Sequence, residues 1–299
     1  MLIRYQKPAL AAAGLLVVAL TAVHHLSTPD ATASQHSLLL PTPYVGTRVA
    51  AAESLTASVA PVASPVGLDA RSLAQRDPRA LARLGRERYE GRIRDYRCVF
   101  LKQERVKDKL GEVEEIEVRY REEPTTVYMI WKRNASQAKR VLFIDTAEFL
   151  NDEGEKVARV EPAGAIIRLI VSDILMPIHG KKAHETSRRS IDEFGFKATL
   201  DLLDRYNRLA EQNGKLDFHY AGEGEIDGRP THVLVRYLPY NGPDGIYPDA
   251  KMVLHLDQEW LLPTAVYSYA DREGKVLLGS YVHTKVELNP GLGAEAFKF

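Results

Sequence analysis

Along "EIEVRYR" (115–121), Ile116, Val118 and Tyr120 alternate with Glu117, Arg119 and Arg121, so one side is apolar and the other charged. A period of two marks a half-buried strand. Extended signals recur in "CVFLKQERV" (98–106), "TTVYMIWKR" (125–133), "RVLFID" (140–145), "KMVLHLD" (251–257), "TAVYSYA" (264–270) and "VLLGSYVHTKVEL" (276–288). Turn formers separate them: "KDKLGE" (107–112), "NDEGEK" (151–156) and the Asp227–Gly228 pair within "GEGEIDGRPTHVLVRY" (222–237). Asp-Gly between extended runs is a strong hairpin cue. The set reads as largely antiparallel.

Two stretches change period. Asp77 before Pro78 is an N-cap with proline at the first helical position. Ala82, Gly85, Tyr89, Ile93 and Tyr96 then recur at spacings of three and four, with Arg83, Arg86, Glu87, Arg88 and Glu90 on the other side. Further on, Ser190 and Glu193 have the spacing of a capping box, and Phe196, Leu200, Leu203 and Tyr206 form a second stripe. "PAGAIIRLIVSDIL" (162–175) is apolar enough for a buried helix or a lid. The order is helix, meander, helix pair, meander, over one domain at 77–299 or two tightly joined lobes. Amphipathic stripes need an apolar partner, so a curved α+β sheet with helices on its concave face satisfies the pattern.

The N-terminus places the chain. Arg4 and Lys7 precede Ala9–Val23, a run of fifteen uncharged residues. That suits a signal-peptide core and is short for a bilayer span of about 20 residues. Small residues at 31–33 make Ala33–Ser34 the best cleavage site. Residues 1–33 are thus a signal peptide or an uncleaved anchor, and either exports the remainder to the periplasm or extracytoplasmic envelope. Residues 34–76, rich in Ala, Ser, Thr and Pro, read as a disordered tether, with a short helix near 48–57 as the weaker option.

Without residues 1–33, 38 Lys and Arg face 39 Asp and Glu. So balanced a chain has no global field for nucleic acid. Chemistry is sparse as well. There is no GxSxG elbow, HExxH, Walker loop or CxxC pair. His219, His232, His255 and His283 lie in predicted strands and would bind metal only if they converged; scattered or satisfied histidines are the plainer reading. His179 and His184, five apart, share no helix face. No cofactor, metal or catalytic residue is expected. Cys98, the single cysteine, has no resolving thiol and reads as a buried small hydrophobe rather than a nucleophile. Glu112, Glu114, Glu115 and Glu117 read as an acidic edge. Glu104, inside an apolar strand, needs a partner if it points inward, and Arg119 and Arg121 are the local candidates.

Four segments in order, "DYRCVFLKQERV" (95–106), "VRYREEPTTVYMIW" (118–131), "LHLDQEWLLPTAVYSY" (254–269) and "YVHTKVELNPGLGAEAF" (281–297), resemble the bacterial domain-of-unknown-function family DUF1571. More distantly, the pattern resembles the LolA/LolB-like periplasmic lipoprotein carriers and receptors. The resemblance maps onto Asp95, Tyr96, Cys98, Glu104, Arg105, Pro124, Pro263, Tyr269, Tyr281, Asn289 and Gly291 as structural or family-pattern residues. It implies a strongly curved antiparallel sheet, an incomplete or half β-barrel with helices over the concave face, and transfers no catalytic residue.

The expected function is noncatalytic: an envelope protein binding a lipid, acyl chain or lipoprotein in an apolar cavity. The alternative is a structural or protein-interaction module with a plugged cavity, and an envelope hydrolase ranks behind both. Tyr120, Tyr128 and Trp131 are candidate ligand-wall residues, although alternation puts Tyr128 and Trp131 on opposite faces unless a bulge intervenes. Expected partners are a lipid, a lipoprotein or an envelope protein, with no nucleic acid; an uncleaved N-terminus would add membrane association.

Overall fold

The computed structural model describes residues 69–164, 172–185 and 187–299. The leader, most of the tether and the centre of the 162–175 segment lie outside them.

Asp69 and Asp77 cap two successive helices, α1 (Ala70–Arg76) and α2 (Pro78–Arg92). The Asp77 carboxylate accepts from the Ala80 amide at 2.9 Å, and Pro78 opens α2 as its sequence predicts. Helix α1 occupies a stretch that composition assigns to the tether. The first meander follows: β1 (Asp95–Val106), β2 (Lys109–Leu110), β3 (Glu114–Arg121), β4 (Thr126–Arg133), β5 (Ala138–Ile144), β6 (Val157–Pro162) and β7 (Ile174–Pro177). Residues 174–175, part of the segment read as helix or lid, are therefore strand. A short α3 (Lys181–His184) and the long α4 (Phe196–Gln212) lead to the second meander, β8 (Asp217–Ile226), β9 (Arg229–Tyr237), β10 (Lys251–Asp257), β11 (Pro263–Tyr269) and β12 (Leu277–Leu288). Asp227 and Gly228 turn β8 into β9 at φ 52° and 75°, as the Asp-Gly pair predicts.

The predicted capping box does not start α4. Residues Ile191–Glu193 form a single 3₁₀ turn, Ser190 makes no capping bond, and the helix begins after Gly195 at φ 120°. A side chain on Gly195 would press on the Tyr96 hydroxyl and the Tyr120 ring, both about 3 Å from its Cβ position. Gly85, on the apolar face of α2, is needed for a similar reason: a Cβ there would collide with the Leu261 carbonyl oxygen.

The sheet is one ladder in the order β7-β6-β5-β4-β3-β1-β12-β11-β10-β9-β8, with β2 a hairpin on β1. The two meanders join at β1–β12, so strands from opposite ends of the domain pair in its centre. Strands β7 and β8 form two separate edges. The sheet is neither closed nor strongly curled, which corrects the half-barrel expectation. Alternation dictates which residues face inward but not the angle between neighbouring strands. The inner face is covered by layering instead: α2 and α4 lay Leu81, Ala82, Leu200 and Leu203 on Leu234, Leu254 and Leu256. Edge strand β8 carries Asp217, His219, Glu223 and Glu225 at its exposed positions, a charge pattern that discourages pairing with another strand.

Candidate functional site

The inner face of β1, β3, β4 and β12 holds most of the chemistry. Tyr96 stacks on Tyr120 at 4.7 Å between ring centroids, and Phe196 from the start of α4 lies 4.7 Å from Tyr96. Phe194 meets Phe100 edge-on at 5.1 Å, while His283 sits 4.8 Å from both Phe100 and Phe196. The hydroxyls of Tyr89 and Tyr120 both donate to Glu122, at 2.8 and 3.2 Å. This aromatic layer joins the sheet to the segment leading into α4.

Next to it along β1 lies a buried polar cluster. The Lys102 ammonium stands 3.4 Å from Glu104 and 3.3 Å from Glu114. Glu104 also accepts from the Tyr281 hydroxyl at 2.7 Å and the Arg188 amide at 3.1 Å. Glu114 accepts from Trp131 Nε1 at 2.9 Å and the Ser136 hydroxyl at 3.2 Å. Burial alone would lower the Lys102 pKa, but the two carboxylates outweigh it and hold it above the ordinary value. Burial drives the Tyr281 hydroxyl well up, keeping it a neutral donor to Glu104.

The cluster corrects two expectations. Glu104 pairs with Lys102, not with Arg119 or Arg121, which point to the opposite face beside the half-buried Glu117. Glu114 belongs to the interior rather than to an acidic edge. Alternation contains the missed signal: Lys102 shares a face with Glu104, and Glu114 continues the inward series Ile116, Val118, Tyr120. The contributions of Arg188, Ser136 and Tyr281 depend on chain crossings far apart in sequence.

Of the three candidate wall residues, Tyr120 and Trp131 face the interior, and Tyr128 lies in a separate cluster on the outer face. The other mapped residues brace the fold. Asp95 accepts from the amides of Gly291 and Leu292, and Asn289 bonds the Arg94 amide and the Arg92 carbonyl, locking the end of β12 to the start of β1. Arg105 donates to the carbonyls of Leu277 and Asp108. Pro124 turns β3 into β4, Pro263 opens β11, and Tyr269 pairs with Lys251 across β10.

Burial drives the Cys98 thiol well above its ordinary range. A thiol reagent is expected to label native protein far more slowly than protein in denaturant; equal rates would show that Cys98 is accessible. The four strand histidines do not converge. His219 sits beside Asp217, His232 beside Tyr220, His255 beside Thr231, and His283 among the phenylalanines. Among the described residues, no group of three or more His, Cys, Asp or Glu side chains is placed to hold a metal ion.

These features define an α+β protein in which helices and an aromatic layer seal one face of an open antiparallel sheet. The chain belongs to the family described as protein of unknown function DUF1571, whose profile matches residues 93–299. It is similar to the MucA/MucB complex of Pseudomonas aeruginosa, at 15% identity over 74% of this chain and 61% of the matched one, with a TM-score of 0.43. It is also similar to the lipoprotein LppX of Mycobacterium tuberculosis (14% identity, 73% of this chain, 98% of that one, TM-score 0.40). A third likeness is to a LolA superfamily protein of Nitrosomonas europaea (12%, 73%, 97%, TM-score 0.33). The match thus spans about three-fifths of the matched chain of the MucA/MucB complex. No curated protein sequence matches the chain.

Proposed function

We propose that this is a noncatalytic protein of the cell envelope that works by binding, and that it binds protein rather than an acyl chain held in its interior. The supporting observation is the filled space between sheet and helices. Phe194, Phe196, Tyr96, Tyr120 and Phe100 occupy the volume where hydrocarbon would lie. The cleft between α2 and α4, lined by Arg79, Ala82, Arg83 and Leu200, holds about 10 Å³, on the order of one water. The cationic, then apolar N-terminus supports an extracytoplasmic location.

A second reading, binding of a lipid, acyl chain or lipoprotein, draws on the apolar character of the helix–sheet interface. Leu81, Leu200, Leu203 and Leu254 pack into one apolar cluster there. Hydrocarbon entering would gain about 0.8 kcal/mol per methylene, but only by displacing helix contacts of the same kind. The exchange therefore gives little net gain unless the helices find another partner.

Native mass spectrometry of gently purified mature protein, followed by organic extraction and lipid analysis, separates the two. The expected result is ligand-free protein that binds no acyl-chain or lipoprotein probe. A reproducible lipid matching a dissociable mass increment would overturn the proposal in favour of the second reading.

A further inference from the structure

The outer face of the first meander is covered by the chain's own tail. Beyond Leu292 the backbone makes one 3₁₀ turn, Ala294–Phe297, and lays Phe297 and Phe299 over Tyr128 and Leu142. Its hold is peptide-like. The Arg119 guanidinium donates to the Ala296 carbonyl at 2.6 Å. Arg121 lies 5.0 Å from the Phe297 ring centroid, and Arg140 and Arg159 lie 4.9 and 4.8 Å from that of Phe299. Strand pairing ends at β12, so side chains rather than a ladder fasten the tail. Phe297 is only 6% exposed, and Tyr128 beneath it 2%. Two rings separated by one residue thus enter an apolar floor rimmed by guanidiniums, an arrangement that selects aromatic faces over aliphatic ones.

We propose that this groove is a docking site for a protein segment bearing two aromatic residues separated by one, and that the tail occupies it as an intramolecular competitor. The occupant's chemistry is read from the rings seated there now. The inference deepens the protein-binding reading by giving it a surface. The two fail separately, because that reading is judged on bound lipid and this one on peptide binding.

A tethered tail presents itself at about millimolar effective concentration, so free peptide competes poorly with it. The test measures fluorescence anisotropy of a labelled peptide with the sequence of Gly293–Phe299. It compares the full chain, the Phe297→Ala/Phe299→Ala variant and the milder Phe299→Ala variant, each checked for an unchanged circular dichroism spectrum. If the double variant does not fold, Phe299→Ala alone decides, since that ring is only half-buried. The folded variant is expected to bind at least tenfold more tightly than wild type, and Leu142→Glu in the variant background to abolish binding. A folded variant that fails to bind, or wild type that binds equally well, overturns the proposal. So does a wild-type dimer in sedimentation that the variant loses, which would assign the groove to tails exchanged between copies.

Discussion

Replacing Lys102 with methionine is expected to cost about 3–5 kcal/mol, as when one partner of a buried ion pair is removed. For a domain of this size that lowers Tm by about 8–15 °C. Lys102 is 14% exposed, Glu104 4% and Glu114 11%, so water cannot replace the lost ammonium. Two carboxylates would be left in one buried site without a cation between them, and like charges in such a place resist joint ionisation. The sign of the pH effect follows. In the variant the folded state takes up a proton more readily than the unfolded chain, so the deficit should shrink as pH falls from 7 towards 5. Adding Glu104→Gln and Glu114→Gln should restore most of the loss at pH 7. Thermal melts across that pH range test the whole set. A loss under about 1 kcal/mol for Lys102→Met would mean that the pairs are solvated and contribute as surface pairs do.

The second large effect concerns His283. Burial lowers its pKa from 6.5 to about 4, and three phenylalanine rings surround the imidazole. The folded protein therefore keeps it neutral where the unfolded chain protonates it. Its contribution is fully present above pH 6.5 and is lost as pH falls from there through 4, by about 3 kcal/mol. His232 and His255, also lowered by burial, push in the same direction. His283→Leu removes only its own part, so the stability difference between wild type and variant should change by about 3 kcal/mol between pH 7 and pH 4, in favour of the variant. Parallel stability–pH curves from urea denaturation would show that the imidazole is not buried neutral. The aromatic layer around His283 joins β1 and β12 to α4, so acid should loosen the helix cover together with the sheet.

Much of the local structure was legible in the chain. Asp77–Pro78 opens a helix and Asp227–Gly228 turns a hairpin because capping and positive-φ preferences act within a few residues. The inward series Ile116, Val118, Tyr120 follows from the pleat. The same pleat separates Tyr128 from Trp131, and β4 keeps them on opposite faces. Family membership was legible too, since its four segments stand in order along the chain.

What lay beyond the sequence depends on contacts between distant residues. The β1–β12 pairing brings Tyr281 to Glu104 across 177 positions. Nothing near Glu104 announces that partner, nor the Arg188 amide beside it. Whether the sheet curls is a sum of small twists over eleven paired strands, which no local pattern encodes; only the assembled sheet lacks the strong curl that a half-barrel would need. The placing of the tail over Tyr128 and Leu142 is of the same kind. Phe297 and Phe299 are apolar residues in any reading of the chain, but which face they cover is decided by Asp95, nearly 200 positions earlier, bonding Gly291 and Leu292. Periodicity and turn chemistry are local energies and can be read in order; pairing, curvature and docking are settled by which distant surfaces meet.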